Sequence, residues 1–158
     1  MLGILASAGA LVIESIWIVL FSISNAHQSS FSVENLPYFL LFLAIGAFAE
    51  ELLKFIFLFK RLRYVFLDKK NFFENVLIFG SGFAFFELLL IYQNSSLNEM
   101  FFDFSGIMIT GASALHILTA VIIGYFIYVE KETRKMFIKA IAFSFLIHLA
   151  YNLFIFLS

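Results

Sequence analysis

The chain has no cysteine, a single proline and little charge. The absence of cysteine excludes disulfide bonds and a cysteine nucleophile. Only 13% of the residues are charged, whereas soluble domains have about 25%. The formal net charge is -1, which gives no reason to expect nucleic acid as a partner. The single proline, Pro37, stands at the start of an apolar run, where the first turn of a helix tolerates it.

Apolar residues dominate what is present. Of the 158 residues 63% are hydrophobic, and the mean hydropathy is +1.01. Soluble domains are usually about 45–50% apolar, so a chain of this length cannot hide all its apolar surface in its own core. We therefore expect one domain that has lipid as its solvent.

Five apolar runs are long enough to cross a bilayer, at about 20 residues or more each. The first run lacks a basic flank and a small-residue cleavage site, so we expect a retained helix and not a signal peptide. The fold class predicted is all-α: a polytopic membrane protein of about five transmembrane helices with a buried polar active-site cluster. The predicted spans are 3–23, 36–59, 72–92, 105–129 and 137–157.

The basic residues predict an orientation. They concentrate between spans two and three and between spans four and five, whereas the connections 24–35 and 93–104 contain none. By the positive-inside rule the basic connections are cytoplasmic. We therefore expect an integral protein of a prokaryotic cell membrane, with the N-terminus in the cytoplasm and the C-terminus outside.

Ionisable and amide side chains fall inside the predicted spans, where each charge costs about 2.5–3.5 kcal/mol at a helix centre. Because of that cost we expect them to face one another or a wet cavity. Counting at about 1.5 Å per residue places the carboxylates of spans two and three and both histidines at one depth near mid-membrane. The intramembrane residues are Glu14, Glu50, Glu51, Lys54, Glu87, His116, His148 and Asn152.

Four motifs follow one another on successive spans. Span two contains EELLK from Glu50 to Lys54, and span three contains GSGFAFFE from Gly80 to Glu87. Span four contains HILT from His116, and span five contains HLAYN from His148 to Asn152. This order resembles the PrsW family of intramembrane proteases, which is related to the CAAX prenyl proteases and the bacteriocin-processing (CPBP, Abi) group. The resemblance covers about residues 45–155.

The resemblance implies an intramembrane endopeptidase of glutamate type, acting on a membrane-associated protein or peptide. Glu50 or Glu51 would be the base, with Glu50 preferred and Lys54 supporting the pair. Glu87 and His116 would orient the water, and His148 and Asn152 would face the oxyanion. Since two adjacent carboxylates repel, neutralising either one is expected to leave stability unchanged or higher.

Other interpretations stay open at this point. Two histidines and a carboxylate can also hold a catalytic zinc, with His116, His148, Glu87 and Glu50 as candidate ligands. We prefer water activated by glutamate without a cofactor. Intramembrane Glu and His residues also form proton relays in transporters, although no inverted repeat is present. A non-catalytic binding or immunity protein on the same fold is the third interpretation. Glu14 and the loop residue His27 have no motif around them. The sequence gives no substrate and no oligomeric state.

Overall fold

A computed structural model describes residues 2–10, 12, 36–62, 68–94 and 104–157 of the chain. Residues 2–10 are helical and are named α1. Four long helices follow: α2 Leu36–Leu62, α3 Lys69–Asn94, α4 Phe104–Val129 and α5 Thr133–Leu157. The described residues contain no strand, which confirms the all-α prediction. Glu14, His27 and most of the first predicted span lie outside the described residues.

Three of the helices are long and apolar enough to cross a membrane: Lys69–Leu89 of α3, Thr110–Val129 of α4 and Thr133–Leu157 of α5. These helices indicate a membrane protein. The prediction of five spans is thus confirmed for three. Helix α2 has 27 residues, but three charged residues, Glu50, Glu51 and Lys54, interrupt its apolar run near the middle. The described part of α1 is too short to span a bilayer.

The outward faces of the helices are apolar, as lipid-facing helices should be. Ile78 on α3 is 68% exposed, and Leu146 and Phe154 on α5 are 60% and 65% exposed. The interior is more polar than a typical core, since Glu51, Lys54 and both membrane histidines are buried there. This inverted distribution is stable when the surrounding solvent is hydrocarbon.

Helix α3 begins one turn earlier than the predicted span because its first turn is capped. The Asp68 side chain accepts a hydrogen bond from the backbone N–H of Asn71 at 2.8 Å. Its backbone carbonyl accepts from the N–H of Phe72 at 2.9 Å. An aspartate that precedes a helix often acts as such a cap, because it accepts hydrogen bonds from N–H groups that have no partner within the helix. The polar turn 69–71 therefore extends the helix beyond its apolar part.

Helix α4 lies at the centre of the bundle and packs against α2, α3 and α5. Small residues bring α3 and α4 close together. A Cβ atom added at Gly80 would lie 3.0 Å from the Cβ of Ala120, and one added at Gly124 would lie 2.6 Å from a methyl of Val76. The missing side chain of Gly80 thus allows the two helices to approach closely. The two helices are held in a fixed register, which sets where Glu87 and His116 meet.

Aromatic pairs close the end of the bundle that carries the basic residues. The rings of Phe55 on α2 and Phe137 on α5 meet edge to face at 5.1 Å.

The short link 130–132 makes α4 and α5 antiparallel neighbours. In that link Glu130 accepts a hydrogen bond from Lys139 at 2.5 Å, and this bond lowers the pKa of the Glu130 carboxyl. Lys139, predicted just inside the last span, therefore turns back toward the link.

Candidate functional site

Four helices bring the motif side chains together in the interior of the bundle. Glu51 and Lys54 from α2 are 0% exposed, His116 from α4 is 1% exposed and His148 from α5 is 3% exposed. Glu87 reaches the same place from α3, where it touches His116. The convergence expected from helix spacing and depth is therefore present in the geometry.

Lys54 is the hub of the cluster. Its Nζ lies 2.6 Å from Glu51 Oε1, 2.8 Å from His116 Nδ1 and 3.0 Å from Thr119 Oγ1. An ammonium group has three N–H donors, so these three acceptors satisfy it completely. The Phe83 ring, whose centroid is 4.5 Å from Nζ, covers the remaining side. The burial of this lysine is therefore compensated by its hydrogen bonds and by its ion pair with Glu51.

Glu51 joins Lys54 to His148. Its Oε1 lies 2.7 Å from His148 Nδ1, in addition to its contact with Lys54. A carboxylate only accepts hydrogen bonds, so Nδ1 of His148 carries the proton. In the neutral ring Nε2 then presents a lone pair, and it lies 4.0 Å from Glu50 Oε2. Glu51 thus fixes both the orientation and the tautomer of His148.

His116 is fixed in the opposite tautomer. Its Nδ1 accepts a hydrogen bond from Lys54, so the proton lies on Nε2, which contacts the Glu87 carboxylate. Glu50 Oε2 is 3.6 Å from His116 Nδ1. The polar side chains form a continuous chain of contacts that runs, from one end to the other, through His148, Glu51, Lys54, His116 and Glu87.

A cavity of about 380 Å³ adjoins this chain between α2 and α5, with α3 contributing one residue. Its volume falls within the range of small-molecule sites, about 300–1,000 Å³. Four of the predicted site residues form its polar wall: Glu50, Glu87, His148 and Asn152. The rest of the wall is apolar. The predicted residues therefore include both the lining of a cavity and a fully buried support behind it.

The two adjacent glutamates have different environments. Glu51 is 0% exposed and engaged with Lys54 and His148, whereas the side chain of Glu50 is 15% exposed and lines the cavity. Glu51 pairs closely with Lys54, three residues later on the same helix, at 2.6 Å. Asn152 lines the cavity one helical turn beyond His148, as the HLAYN motif predicts.

Two supporting residues were not among the predicted site residues. Thr119 accepts a hydrogen bond from Lys54, and Phe83 covers the ammonium. Both belong to the motifs: Thr119 follows His116 by three residues, and Phe83 precedes Glu87 by four. That spacing places each on the same helix face as its motif partner, which was the available signal.

Three of the described side chains could together hold a metal ion. Ligand atoms of Glu50, His116 and His148 lie within 4.8 Å of one another. Ligands around tetrahedral zinc are closer, about 3.4 Å apart for bonds of about 2.0–2.1 Å. Both nitrogens of His116 are also engaged, one with Lys54 and the other with Glu87. A dication bound at His116 Nδ1 would lie close to the Lys54 ammonium, which is 2.8 Å from that nitrogen, and the two charges would repel each other.

Comparisons with known proteins leave this site without a named counterpart. A scan against protein-family models and searches of curated proteins and solved structures find no match to this chain. The similarity to PrsW proteases therefore remains a prediction that depends on the four motifs.

Proposed function

We propose that the chain is an intramembrane protease that hydrolyses a peptide bond with water activated by Glu50. One observation carries the proposal: Glu50, Glu87, His148 and Asn152 share the wall of one cavity. A buried ion pair of Glu51 with Lys54 lies directly behind that wall. Burying so many polar groups among lipid-facing helices is costly, and packing alone does not require it.

Glu50 is the preferred base because it lines the cavity and Glu51 does not. A general base must reach the water whose proton it takes, within hydrogen-bond distance. Glu51 is fully buried and already bonded to Lys54 and His148, so it positions the other groups. This division of roles agrees with the preference for the first glutamate that the resemblance implies.

In the proposed mechanism one water molecule bridges Glu50 and His148. Their facing atoms, Glu50 Oε2 and His148 Nε2, are 4.0 Å apart, too far for a direct hydrogen bond. As the water oxygen attacks the peptide carbonyl carbon, its proton passes to Glu50. The side-chain amide of Asn152 donates a hydrogen bond to the resulting oxyanion. Glu87, which His116 contacts through Nε2, orients the water from α3; the resemblance implies this role for the two residues together.

The second half of the reaction returns the proton. The tetrahedral intermediate collapses, the C–N bond breaks, and the electron pair leaves with the nitrogen. The proton on Glu50 passes to that nitrogen, which departs as an amine. In the balance, one water molecule is added across the peptide bond, with OH on the carbonyl carbon and H on the nitrogen, and Glu50 is again a carboxylate.

A proton-coupled transporter is less compatible with the contacts. The polar chain from His148 to Glu87 resembles a proton path, but both end residues line the same cavity. A carrier needs access from two sides of the membrane. A non-catalytic binding protein would use the same cavity without needing a basic oxygen at Glu50. The cleavage rate of a Glu50→Gln variant therefore distinguishes a protease from a binding protein.

The proposal includes five spans in a prokaryotic cell membrane, with the first predicted span and α2 crossing beside the three apolar helices. The basic end of the bundle then faces the cytoplasm. The partners are membrane lipids and a membrane-associated protein or peptide substrate. Glu51 and Lys54 on α2 are fully buried and neutralise each other, so they avoid the energetic cost of a lone charge in a membrane span.

Purified protein incubated with transmembrane peptides in lipid vesicles tests the function. We expect two fragments by mass spectrometry, with the new carboxyl group carrying ¹⁸O when the reaction is run in H₂¹⁸O. The absence of cleavage across peptides and lipids would contradict the proposal. Fragments without ¹⁸O would contradict attack by water.

A further inference from the structure

The cavity beside Glu50 extends in one direction only. Its lining residues on α2 are Glu50 and residues that precede it, and those on α5 are His148 and residues that follow it. In the other direction the rings of Phe55 and Phe137 close the seam between the two helices. The cavity therefore runs from the polar cluster toward the end of the bundle opposite to the basic residues Lys60 and Arg61.

The residues that line the cavity differ in size along these two helices. Gly46 and Ala47 line it at four and three residues before Glu50, which is one helical turn or about 6 Å away. A second turn away, the lining residues are large: Phe42, Leu43, Ile155 and Phe156. The lining side chains on α2 are thus small one turn from Glu50 and large a second turn away.

We propose that the part of the cavity beside Gly46 is the pocket for a large apolar side chain of the substrate, next to the peptide bond that is cut, and that Gly46 sets its size. The inference rests on the proposed function, because it places the cut bond at Glu50. The pocket has a polar floor, formed by Glu50, His148 and Asn152, and apolar walls. A Leu or Phe side chain of the substrate would pack against these apolar walls. The backbone carbonyl of the same substrate residue would then be held near Glu50.

Filling the pocket should invert the size preference. A Leu/Ala transmembrane peptide carries one varied residue at the cut position: Ala, Leu or Phe. We expect the wild-type chain to cut the Phe and Leu peptides faster than the Ala peptide. Gly46→Leu should lower kcat/KM for the Phe peptide by about 10–200-fold, the range for steric discrimination in an apolar pocket. It should leave the Ala peptide within about threefold of wild type.

Ala150→Leu is the matched control, because it adds similar bulk on the exposed face of α5 between His148 and Asn152. It should leave all three rates unchanged. If Gly46→Leu lowers cleavage of all three peptides equally, or of none, the pocket assignment is wrong while the protease function stands.

A binding measurement keeps the assignment testable if no peptide is cut. Since the chain has no cysteine, Gly46→Cys in a Glu50→Gln background introduces a single thiol. We expect the Phe peptide to slow maleimide labelling of that thiol at least fivefold more than the Ala peptide does. The thiol of Ala150→Cys should label at one rate with either peptide. Equal labelling of the Gly46→Cys thiol with both peptides would overturn the pocket, whatever the chain's activity.

Discussion

Glu51 and Lys54 lie one turn apart on α2 and form an ion pair, with 2.6 Å between Glu51 Oε1 and Lys54 Nζ. Both side chains are fully buried. Each charge is tolerable there only because of the other, since breaking a buried pair leaves an uncompensated charge. The lysine in turn holds His116, and the glutamate holds His148. The pair therefore positions both histidines of the cluster.

The first prediction concerns this pair. Glu51→Gln should destabilise the protein by about 3–5 kcal/mol, because the Lys54 ammonium loses its counter-charge. This differs from the expectation from sequence alone that neutralising either glutamate is harmless, because the contact with Lys54 outweighs repulsion between the two carboxylates. Lys54→Met should cost a similar amount.

The double variant Glu51→Gln with Lys54→Met should cost less than the sum of the single variants, by about 0.5–3 kcal/mol. Unfolding in mixed detergent micelles measures all three. Strict additivity would mean that the two side chains do not depend on each other.

The difference between Glu50 and Glu51 shows where sequence reasoning ends. Motif spacing and depth predict which helices meet and that these residues converge, because periodicity and a constant rise are properties of every helix. Adjacent residues, however, point about 100° apart around the axis. Which of them faces the cavity depends on how α2 is rotated against its neighbours, and that rotation is set by packing across the whole bundle.

Other features could not be predicted from the sequence, either because they depend on helix packing or because their signal is local. The contacts of Phe83 and Thr119 with Lys54 depend on the register of α3 and α4 against α2. The early start of α3 follows from the Asp68 cap, whose signal lies in a polar segment that a search for apolar runs passes over. The predicted spans therefore match the cores of the described long helices better than their ends.

The second prediction concerns the packing of α3 against α4. Gly124→Ala places a Cβ about 2.6 Å from a methyl of Val76, so one helix must shift. We expect a loss of about 1–3 kcal/mol in unfolding free energy, the usual cost of overpacking. Val76→Ala removes the two methyl groups that clash and should recover most of that loss when combined with Gly124→Ala. A stable single variant, or a double variant no better than the single one, would show that the helices are not in close contact here.

The third prediction concerns topology. Single cysteines placed in this cysteine-free chain should be labelled from the cytoplasm at 60–71 and 130–136. Those at 24–35 and 94–104 should be labelled from outside. The reason is that Lys and Arg residues lie in 60–71 and 130–136, whereas 24–35 and 94–104 contain none. Opposite labelling of any one connection would remove the five-span arrangement.

The fourth prediction concerns metal. Because both nitrogens of His116 are engaged with Lys54 and Glu87, strong chelators should leave peptide cleavage unchanged. Purified protein should carry no stoichiometric zinc by elemental analysis. Zinc near one equivalent, with activity lost on its removal and restored on its return, would instead make His116, His148 and Glu50 or Glu87 ligands.

The most direct test of the account is the cleavage rate of Glu50→Gln. Glutamine keeps the shape of the side chain but lacks the basic oxygen, so we expect the rate to fall by about 10²–10⁴-fold while the unfolding free energy stays within error of wild type. Asn152→Ala should lower the rate as well, by about 2.7–4 kcal/mol of transition-state stabilisation if it holds the oxyanion. Glu74→Gln, on the exposed face of α3, is the control and should cleave normally. A Glu50→Gln protein that cleaves at the wild-type rate would contradict the account, and the cluster would then be a support for binding and packing.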